Sequence, residues 1–383
     1  MSKNKVIVAG GGLMGLATAW FLHRRGVSVE IYDRRPAGQE ASAAGAGMLP
    51  LHSVAFDPPA LFELSRYSYG LYPDWIREIQ KASGMDPEWM ESGSLGLLFN
   101  EREETTARNL GGKLEELGLK VEWITGSEAR KKEPVISPDV RSALRLPDAV
   151  QIRPVRLCRS LIEALRVEGV PIHTHEAIEE ILVEGGRVRG VRTCVGRIES
   201  ERVVVAAGAW SADLLKPLGW DFPVYPLKGQ VLLLNGPSGR LKHILFASGY
   251  YIVPRRDGEL YVGSTLEKVG FDRSVTPAAL EALTAAARQM VPGLEPLKVS
   301  GMFSGFRPGS VDGHPTLGPL PGVEGLFLAA GHHTHGHLLA PASGHLIAQA
   351  VMGEKTDLSL DPFRIGREPH PLQPPWWVKI SAS

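Results

Sequence analysis

Residues 5–33 read KVIVAGGGLMGLATAWFLHRRGVSVEIYD. Val6, Ile7 and Val8 are an apolar run of the length of a short buried strand, and Gly10, Gly12 and Gly15 follow it at G-x-G-x-x-G spacing. Leu16 to His23 is then apolar at helical period, and Val27 to Tyr32 alternates as a second strand ending on Asp33. In such a strand–helix–strand unit the first glycine permits a tight turn, the second lets the backbone approach a pyrophosphate, and the third lets helix and strand pack closely. The diphosphate would sit on unpaired amides at the helix N-terminus, with Asp33 placed to accept hydrogen bonds from a pair of ribose hydroxyls. The stretch therefore predicts a parallel-sheet dinucleotide site. The acid disfavours a 2′-phosphate, but NAD and FAD both remain open at this point.

The rest of the composition narrows the class. A chain of 383 residues is long enough for two hydrophobic cores. Lysine plus arginine equals aspartate plus glutamate at 42 each, so there is neither a basic face for nucleic acid nor an acidic tail. Cys158 and Cys194 are the only cysteines, too few for a disulfide framework or a thiolate metal cluster, which suits a reducing compartment. The N-terminus MSKNKVIVAGGG lacks an apolar signal core with a small-residue cleavage site, and its apolar stretch is too short to span a bilayer. A cytoplasmic protein is expected.

Three further segments are built for close approach. EASAAGAGMLP (40–50) reads as a loop of small residues. ERVVVAAGAWS (201–211) reads as a buried strand turning through Gly208, and residues 325–353 as a strand, a loop and a helix from about Leu338. The loop GHHTHGH (331–337) raises a metal question with its four histidines. No acid or cysteine cluster accompanies it and its spacing is irregular, so no metal is expected; local hydrogen bonding accounts for at least two of the imidazoles.

Taken together, GGGLMG with Asp33, then ASAAGAGMLP, VVVAAGAWS, YYIVPRRDGELYVGST (250–265), GFRPGSVDGHPTLGP (305–319) and AAGHHTHGHLLAP resemble the glycine oxidase group of the FAD-dependent amine and D-amino acid oxidases, in that family's order and through nearly the whole chain. The resemblance implies an α/β (α+β two-domain) fold: a Rossmann-like FAD-binding domain with a parallel sheet and a substrate domain with a mixed, largely antiparallel sheet. The FAD domain would be discontinuous (1–80, 145–220 and 305–365), the substrate domain would take 81–144 and 221–304, and 366–383 would form a C-terminal tail. PHPLQPPWW in that tail reads as an extended surface segment able to dock on a neighbour, and a homo-oligomer is expected.

Position by position, the resemblance implies non-covalent FAD with its diphosphate at Leu13 and Met14 and its adenosine ribose at Asp33 and Arg34. Further contacts would fall at Ala41, Ser42, Ala46, Gly47, Met48, Ile178 and Gly208. The loop of His332, His333, Thr334, His335, Gly336, His337 and Leu338 would lie against the isoalloxazine, where the positive end of the following helix suits the charge that accumulates on reduction. Covalent attachment is not expected, because Cys158 falls in an amphipathic helical stretch, RPVRLCRSLIEALR, and Cys194 in an alternating one.

Arg307, between glycines and a proline in what reads as a rigid loop, aligns with the family's carboxylate-binding arginine, and a guanidinium fork matches a carboxylate with two parallel hydrogen bonds. Tyr251 aligns with a tyrosine that contacts the same carboxylate; it falls on a strand that returns through a hairpin turn at Asp257-Gly258. Two positions depart from the family: Thr334 stands where glycine-acting members carry an arginine, and Gly249 where a histidine is found. Both departures predict a pocket with room for more bulk on the substrate nitrogen or α-carbon than glycine has. The expected reaction is hydride transfer from a small amino acid or N-substituted glycine to flavin N5, with the imine hydrolysed to an oxo acid plus amine or ammonia, and hydrogen peroxide formed if oxygen is the acceptor. No side-chain base is named. The alternatives are an amino acid or amine dehydrogenase that passes electrons to a quinone or carrier protein, and a non-catalytic flavin-binding subunit.

Overall fold

A computed structural model describes residues 5–236, 239–294 and 298–372, so PHPLQPPWW lies outside the described residues from Gln373 onward. The opening stretch folds as strand Lys5–Ala9, helix Leu13–His23 and strand Ser28–Asp33. Lys5–Ala9 is central in a six-stranded sheet ordered Thr316–Pro319, Leu326–Ala330, Arg202–Val205, Lys5–Ala9, Ser28–Asp33, Ile172–Thr174. Every pairing is parallel except the edge strand Thr316–Pro319, which runs antiparallel to its neighbour.

The sheet is parallel because both its faces are covered. Val6 and Val8 face a helical layer formed by Leu13–His23, Pro59–Ser83, Pro154–Val167 and Gly336–Met352. Ile7 faces the other way, onto Ile181, Val188 and Val191 of a three-stranded antiparallel sheet (Ile178–Glu184, Arg187–Thr193, Gly196–Glu199). All three residues of the run are fully buried. The first and last helices of the layer cross closely, since a Cβ on Gly344 would fall 2.7 Å from the Ala17 backbone.

The second sheet has eight strands: Lys298–Ser310, Val224–Asn235, Glu259–Gly263, Tyr250–Pro254, Ile244–Ala247, Ser94–Leu98, Ser142–Leu146 and Glu122–Thr125. It is mixed and largely antiparallel, with Ile244–Ala247 against Ser94–Leu98 as the parallel pair. Helix Pro277–Met290 packs on one face and helix Glu101–Glu116 on the other. Segments feeding the two sheets interleave along the chain, and the boundaries expected at 144/145 and 304/305 fall inside strands Ser142–Leu146 and Lys298–Ser310. Among the described residues no helix is long and apolar enough to cross a membrane.

Two local expectations are corrected. Residues 40–50 are not loop throughout, because Ala41–Ala44 closes one turn of helix, as a run of alanines favours. The last helix begins at Gly336 rather than Leu338.

Candidate active site

A long cleft is lined by the ends of strands of the six-stranded sheet and by one face of the eight-stranded sheet, and the residues of the glycine turn line one stretch of it. Gly10, Gly12, Leu13 and Met14 are there, with Asp33 and Arg34 from the end of the second strand. The glycines divide by role. A Cβ on Gly10 would meet the Ala206 carbonyl oxygen at 2.4 Å, and one on Gly15 would meet the Gly10 carbonyl oxygen at 1.8 Å, so both are demanded by the protein's own packing. Gly15 accordingly does not line the cleft. A Cβ on Gly12 would meet only Ser42 Oγ, at 3.2 Å, so the protein leaves the space beside it to the cleft.

Helix Leu13–His23 has no side-chain cap at Gly12 and no acid in its first turn, and the Leu13 amide donates to Ser42 Oγ at 2.8 Å. No acid of its own first turn therefore opposes its positive end. Asp33 accepts from the Gly11 amide (2.7 Å) and the Arg35 amide (2.8 Å), one to each oxygen, which fixes the carboxylate beside the turn; burial pushes its pKa upward against those donors. Arg34 lies with its guanidinium 3.6 Å from the centre of the Trp210 ring, whose plane stacks at 4.8 Å with that of Phe271. Trp210 was not singled out in the sequence; only its neighbour Gly208, which turns with φ of +57° and lines the same cleft, was.

Ala41, Ser42, Ala46, Gly47 and Met48 form the next stretch of wall, with Ile178. The close approach expected of this segment has a visible cause. Cβ atoms on Gly45, Gly47 and Gly305 would collide with the His337 ring (2.3 Å), the Ile152 carbonyl oxygen (1.9 Å) and the Ala44 Cβ (2.5 Å). The segment is held from the eight-stranded sheet by two side chains the sequence reading missed. Buried Arg255 donates to the Ala46 carbonyl (2.7 Å) and to Gln151 Oε1 (2.8 Å), and the Tyr261 hydroxyl donates to the Ala44 carbonyl. Arg255 stands beside Arg256 in a stretch that looks like an exposed turn, so nothing in the sequence marks it as interior.

His332, His333, Thr334, His335, Gly336 and His337 line the cleft, whereas the Leu338 side chain is buried in the helical core. The rings do not converge on one centre. His332 Nε2 lies 2.9 Å from Ser343 Oγ, His333 Nδ1 and His335 Nε2 lie 3.4 and 3.5 Å from Thr334 Oγ1, and His337 Nε2 donates to the Ser42 carbonyl at 3.1 Å. Among the described residues no group of three histidine, cysteine or acidic side chains is arranged to hold a metal. Burial pushes the imidazole pKa values down, to about 3 for His332 and His333 and about 4 for His335 and His337, so the loop is neutral. The His333 backbone is left-handed, with φ of +48°, and its amide donates to the Pro308 carbonyl at 2.9 Å, docking the loop on the strand that carries Arg307. His332 Nδ1 is buried without a partner among the described residues, a polar atom at the cleft wall for a ligand to meet. Helix Gly336–Met352 starts here without a side-chain cap or an acid in its first turn.

Arg307 is not in a loop. It belongs to strand Lys298–Ser310, paired residue by residue with Val224–Asn235, and the flanking glycines serve the sheet face rather than a turn. Arg307, Gly305, Gly229 and Val231 lie on one face of the sheet, and Tyr251 joins them from its pairing opposite Gly263. A Cβ on Gly263 would lie 2.7 Å from the Tyr251 ring. Arg307 Nη2 donates to Ser264 Oγ at 2.6 Å, Nη1 approaches the Thr265 carbonyl at 3.4 Å, and the Tyr251 hydroxyl donates to the same Ser264 Oγ at 3.1 Å. Gly249 sits in the Ser248–Gly249 turn with φ of +80°, and no side chain enters the cleft from it. Asp257-Gly258 forms the expected hairpin turn, with Gly258 at φ of +91°.

The arrangement suits an elongated ligand that has an anionic diphosphate at one part, a ribose near Asp33, and a reacting group beside Arg307 and Tyr251. It fits FAD. The family pattern DAO, described as FAD dependent oxidoreductase, matches residues 5–350. A glycine oxidase of Pseudomonas putida is 38% identical over 365 residues, spanning 95% of this chain and 98% of the relative. The crystal structure of glycine oxidase from Geobacillus kaustophilus superposes with a TM-score of 0.91 at 32% identity, over 95% of this chain and 98% of that one. That of iminodiacetate oxidase from Chelativorans sp. BNC1 gives 0.86 at 26% identity, over 94% and 98%.

Proposed function

The chain belongs to the DAO family of FAD-dependent oxidoreductases, and from that premise we propose how it works as an FAD-dependent amino acid oxidase: it takes a small amino acid with a substituent on nitrogen or the α-carbon, anchored by its carboxylate at Arg307. The observation that carries this reading is the convergence of the Arg307 guanidinium and the Tyr251 hydroxyl on one point of the cleft wall.

The turn at Gly12 with the amides beginning helix Leu13–His23 would hold the FAD diphosphate, Asp33 the ribose, Ala41–Met48 the middle of the cofactor, and His332–His337 the isoalloxazine. Bound there, FAD supplies the redox chemistry, taking a hydride equivalent from the substrate Cα–H and passing the two electrons to dioxygen or another acceptor. Arg307 and Tyr251 fix the carboxylate, which leaves the Cα–H of a bound substrate one sense of approach. The left-handed backbone at His333 and its bond to Pro308 keep the neutral loop rigid beside the substrate. A substrate whose amine enters unprotonated needs no side-chain base, and none is assigned. Water hydrolyses the imine product, so that with oxygen as acceptor the amino acid, dioxygen and water yield an oxo acid, the amine or ammonia, and hydrogen peroxide.

The preference for a substituted substrate is supported by Thr334 and Gly249, which place a short hydroxyl and no side chain at the cleft wall, and by the likeness to iminodiacetate oxidase. The same reading includes a cytoplasmic homo-oligomer. Both cysteines are free thiols, and Leu266, Val269, Phe271 and Val275 are exposed apolar side chains gathered on one loop, as a contact between copies would use. The test is anaerobic bleaching of the yellow flavin with glycine, sarcosine, larger N-substituted glycines, D-amino acids, L-proline and carboxylate-free amines. N-substituted or larger amino acids should bleach it fastest; equal rates with carboxylate-free amines would refute the reading.

A further inference from the structure

Resting on the reading of Arg307 as the carboxylate anchor, the geometry points to Ser264 as a substrate-binding residue: a neutral hydrogen-bond donor beside Arg307 that takes the Tyr251 proton and presents its own to the carboxylate.

A serine oxygen has two lone pairs and one proton. At Ser264 one lone pair is taken by Arg307 Nη2 at 2.6 Å and the other by the Tyr251 hydroxyl at 3.1 Å. With Tyr251 donating, the proton is the capacity that remains, and among the described residues Ser264 Oγ donates no hydrogen bond of its own. Ser264 is partly exposed, and it lines the cleft between the two side chains that bond to it. Its O–H is therefore presented to the cleft beside the guanidinium, while the phenol spends its one proton on Ser264.

Both neighbours are packed closely on glycine backbone where they meet Ser264. The guanidinium is pressed on Gly229, where a Cβ would fall 2.2 Å from Nη1, and the phenol ring on Gly263, where one would fall within 2.7 Å of the ring. Accepting from a cation also polarises the Ser264 O–H and makes it a stronger donor. The result is a fixed cluster of donors, and the matching partner is an anion with several lone pairs, which a carboxylate is and an amide or ester is not. Ser264 thereby sharpens the preference for a free carboxylate over a neutral isostere of the same shape.

The test is an NMR titration of the holoenzyme with acetate, and separately with acetamide, for the native protein, Ser264→Ala, Ser264→Thr and Arg307→Ala. Acetate should bind about ten-fold more weakly to Ser264→Ala, as expected for one lost hydrogen bond to a charged group, and within about three-fold of native to Ser264→Thr, which keeps the hydroxyl. The advantage of acetate over acetamide should shrink in Ser264→Ala. Should Ser264→Ala lose its flavin colour, Ser264→Cys, with a weak donor of similar size, is titrated instead and should show the same loss. Acetate binding as tightly to the alanine or cysteine variant as to the native protein overturns the role of Ser264. Unchanged binding to Arg307→Ala would show instead that the carboxylate site itself lies elsewhere.

Discussion

The guanidinium of Arg307 lies against the backbone of Gly229 on the adjacent strand, so closely that a Cβ there would fall 2.2 Å from Nη1 and 2.7 Å from Nη2. The glycine has ordinary strand geometry and is needed for the space, not for its backbone freedom. Gly229→Ala should push the guanidinium off its present position and raise KM for carboxylated substrates by about ten-fold, the cost of a misplaced charged hydrogen bond. Arg307→Ala should lower kcat/KM by roughly two to three orders of magnitude, in line with about 2 to 5 kcal/mol for a desolvated charge pair. Steady-state kinetics of both variants check this; full activity in Gly229→Ala would mean that the arginine is free to move.

The glycines of the first turn should separate cofactor binding from folding. Gly12→Val should give a folded, colourless protein, because the side chain would occupy space that the protein leaves to the cleft. Gly15→Ala should lose stability whether or not flavin is present, since its Cβ would lie 1.8 Å from the Gly10 carbonyl oxygen. Flavin absorbance and thermal melting distinguish the two; a yellow, fully loaded Gly12→Val protein would contradict the assignment.

Acid should destabilise the protein below pH about 6.5. His52 and His332 are buried, and desolvation lowers their pKa values to about 3 in the folded state, from 6.5. Above pH 6.5 the rings are neutral whether the chain is folded or not. Below it the unfolded chain takes up protons that the folded one refuses, so stability falls between 6.5 and about 3, by about 1.4 kcal/mol per pH unit for each ring. Melting temperatures from pH 7.5 to pH 5 should decline, and less steeply in His332→Asn; equal slopes would show that His332 is charged in the fold.

Arg255→Leu should cost about 2 to 5 kcal/mol and loosen the cofactor, because the carbonyl of Ala46 and the Gln151 side chain lose a buried charged donor. Burial lowers the Arg255 pKa to about 10, so native protein should also begin to lose flavin as pH rises past that value. Denaturant melts and released-flavin fluorescence measure both effects, and unchanged flavin retention would separate Arg255 from the cleft wall.

Chelators should leave activity unchanged, since the four loop histidines turn to Ser343, Thr334 and Ser42 rather than to a common centre. Activity lost with EDTA and restored by zinc, iron or copper would overturn that.

How much of this was legible in the sequence depended on the range of the interaction. The strand–helix–strand at 5–33 announces itself because periodicity and glycine spacing are local. Arg307 was legible as a residue but not as a strand residue: two glycines and a proline within 305–309 read as a turn, and only the partner strand Val224–Asn235, some 80 residues away, turns them into a sheet face. Ser264, Arg255 and Gly229 carry no signal of their own. Each acquires a role through one neighbour that is distant in sequence, and a serine after glycine or an arginine in a hairpin is commonplace anywhere.

The interleaving of the two sheets bears on how the chain emerges from the ribosome. Lys5–Ala9 is made first and finds Ser28–Asp33 at once, but its other edge stays open until Arg202–Val205 is synthesised, and the sheet is finished only by Leu326–Ala330 and Thr316–Pro319. The eight-stranded sheet likewise waits for Lys298–Ser310. A nascent chain of some 200 residues therefore carries two unfinished sheets with apolar edges, so truncations at either junction should aggregate and not yield an independent half.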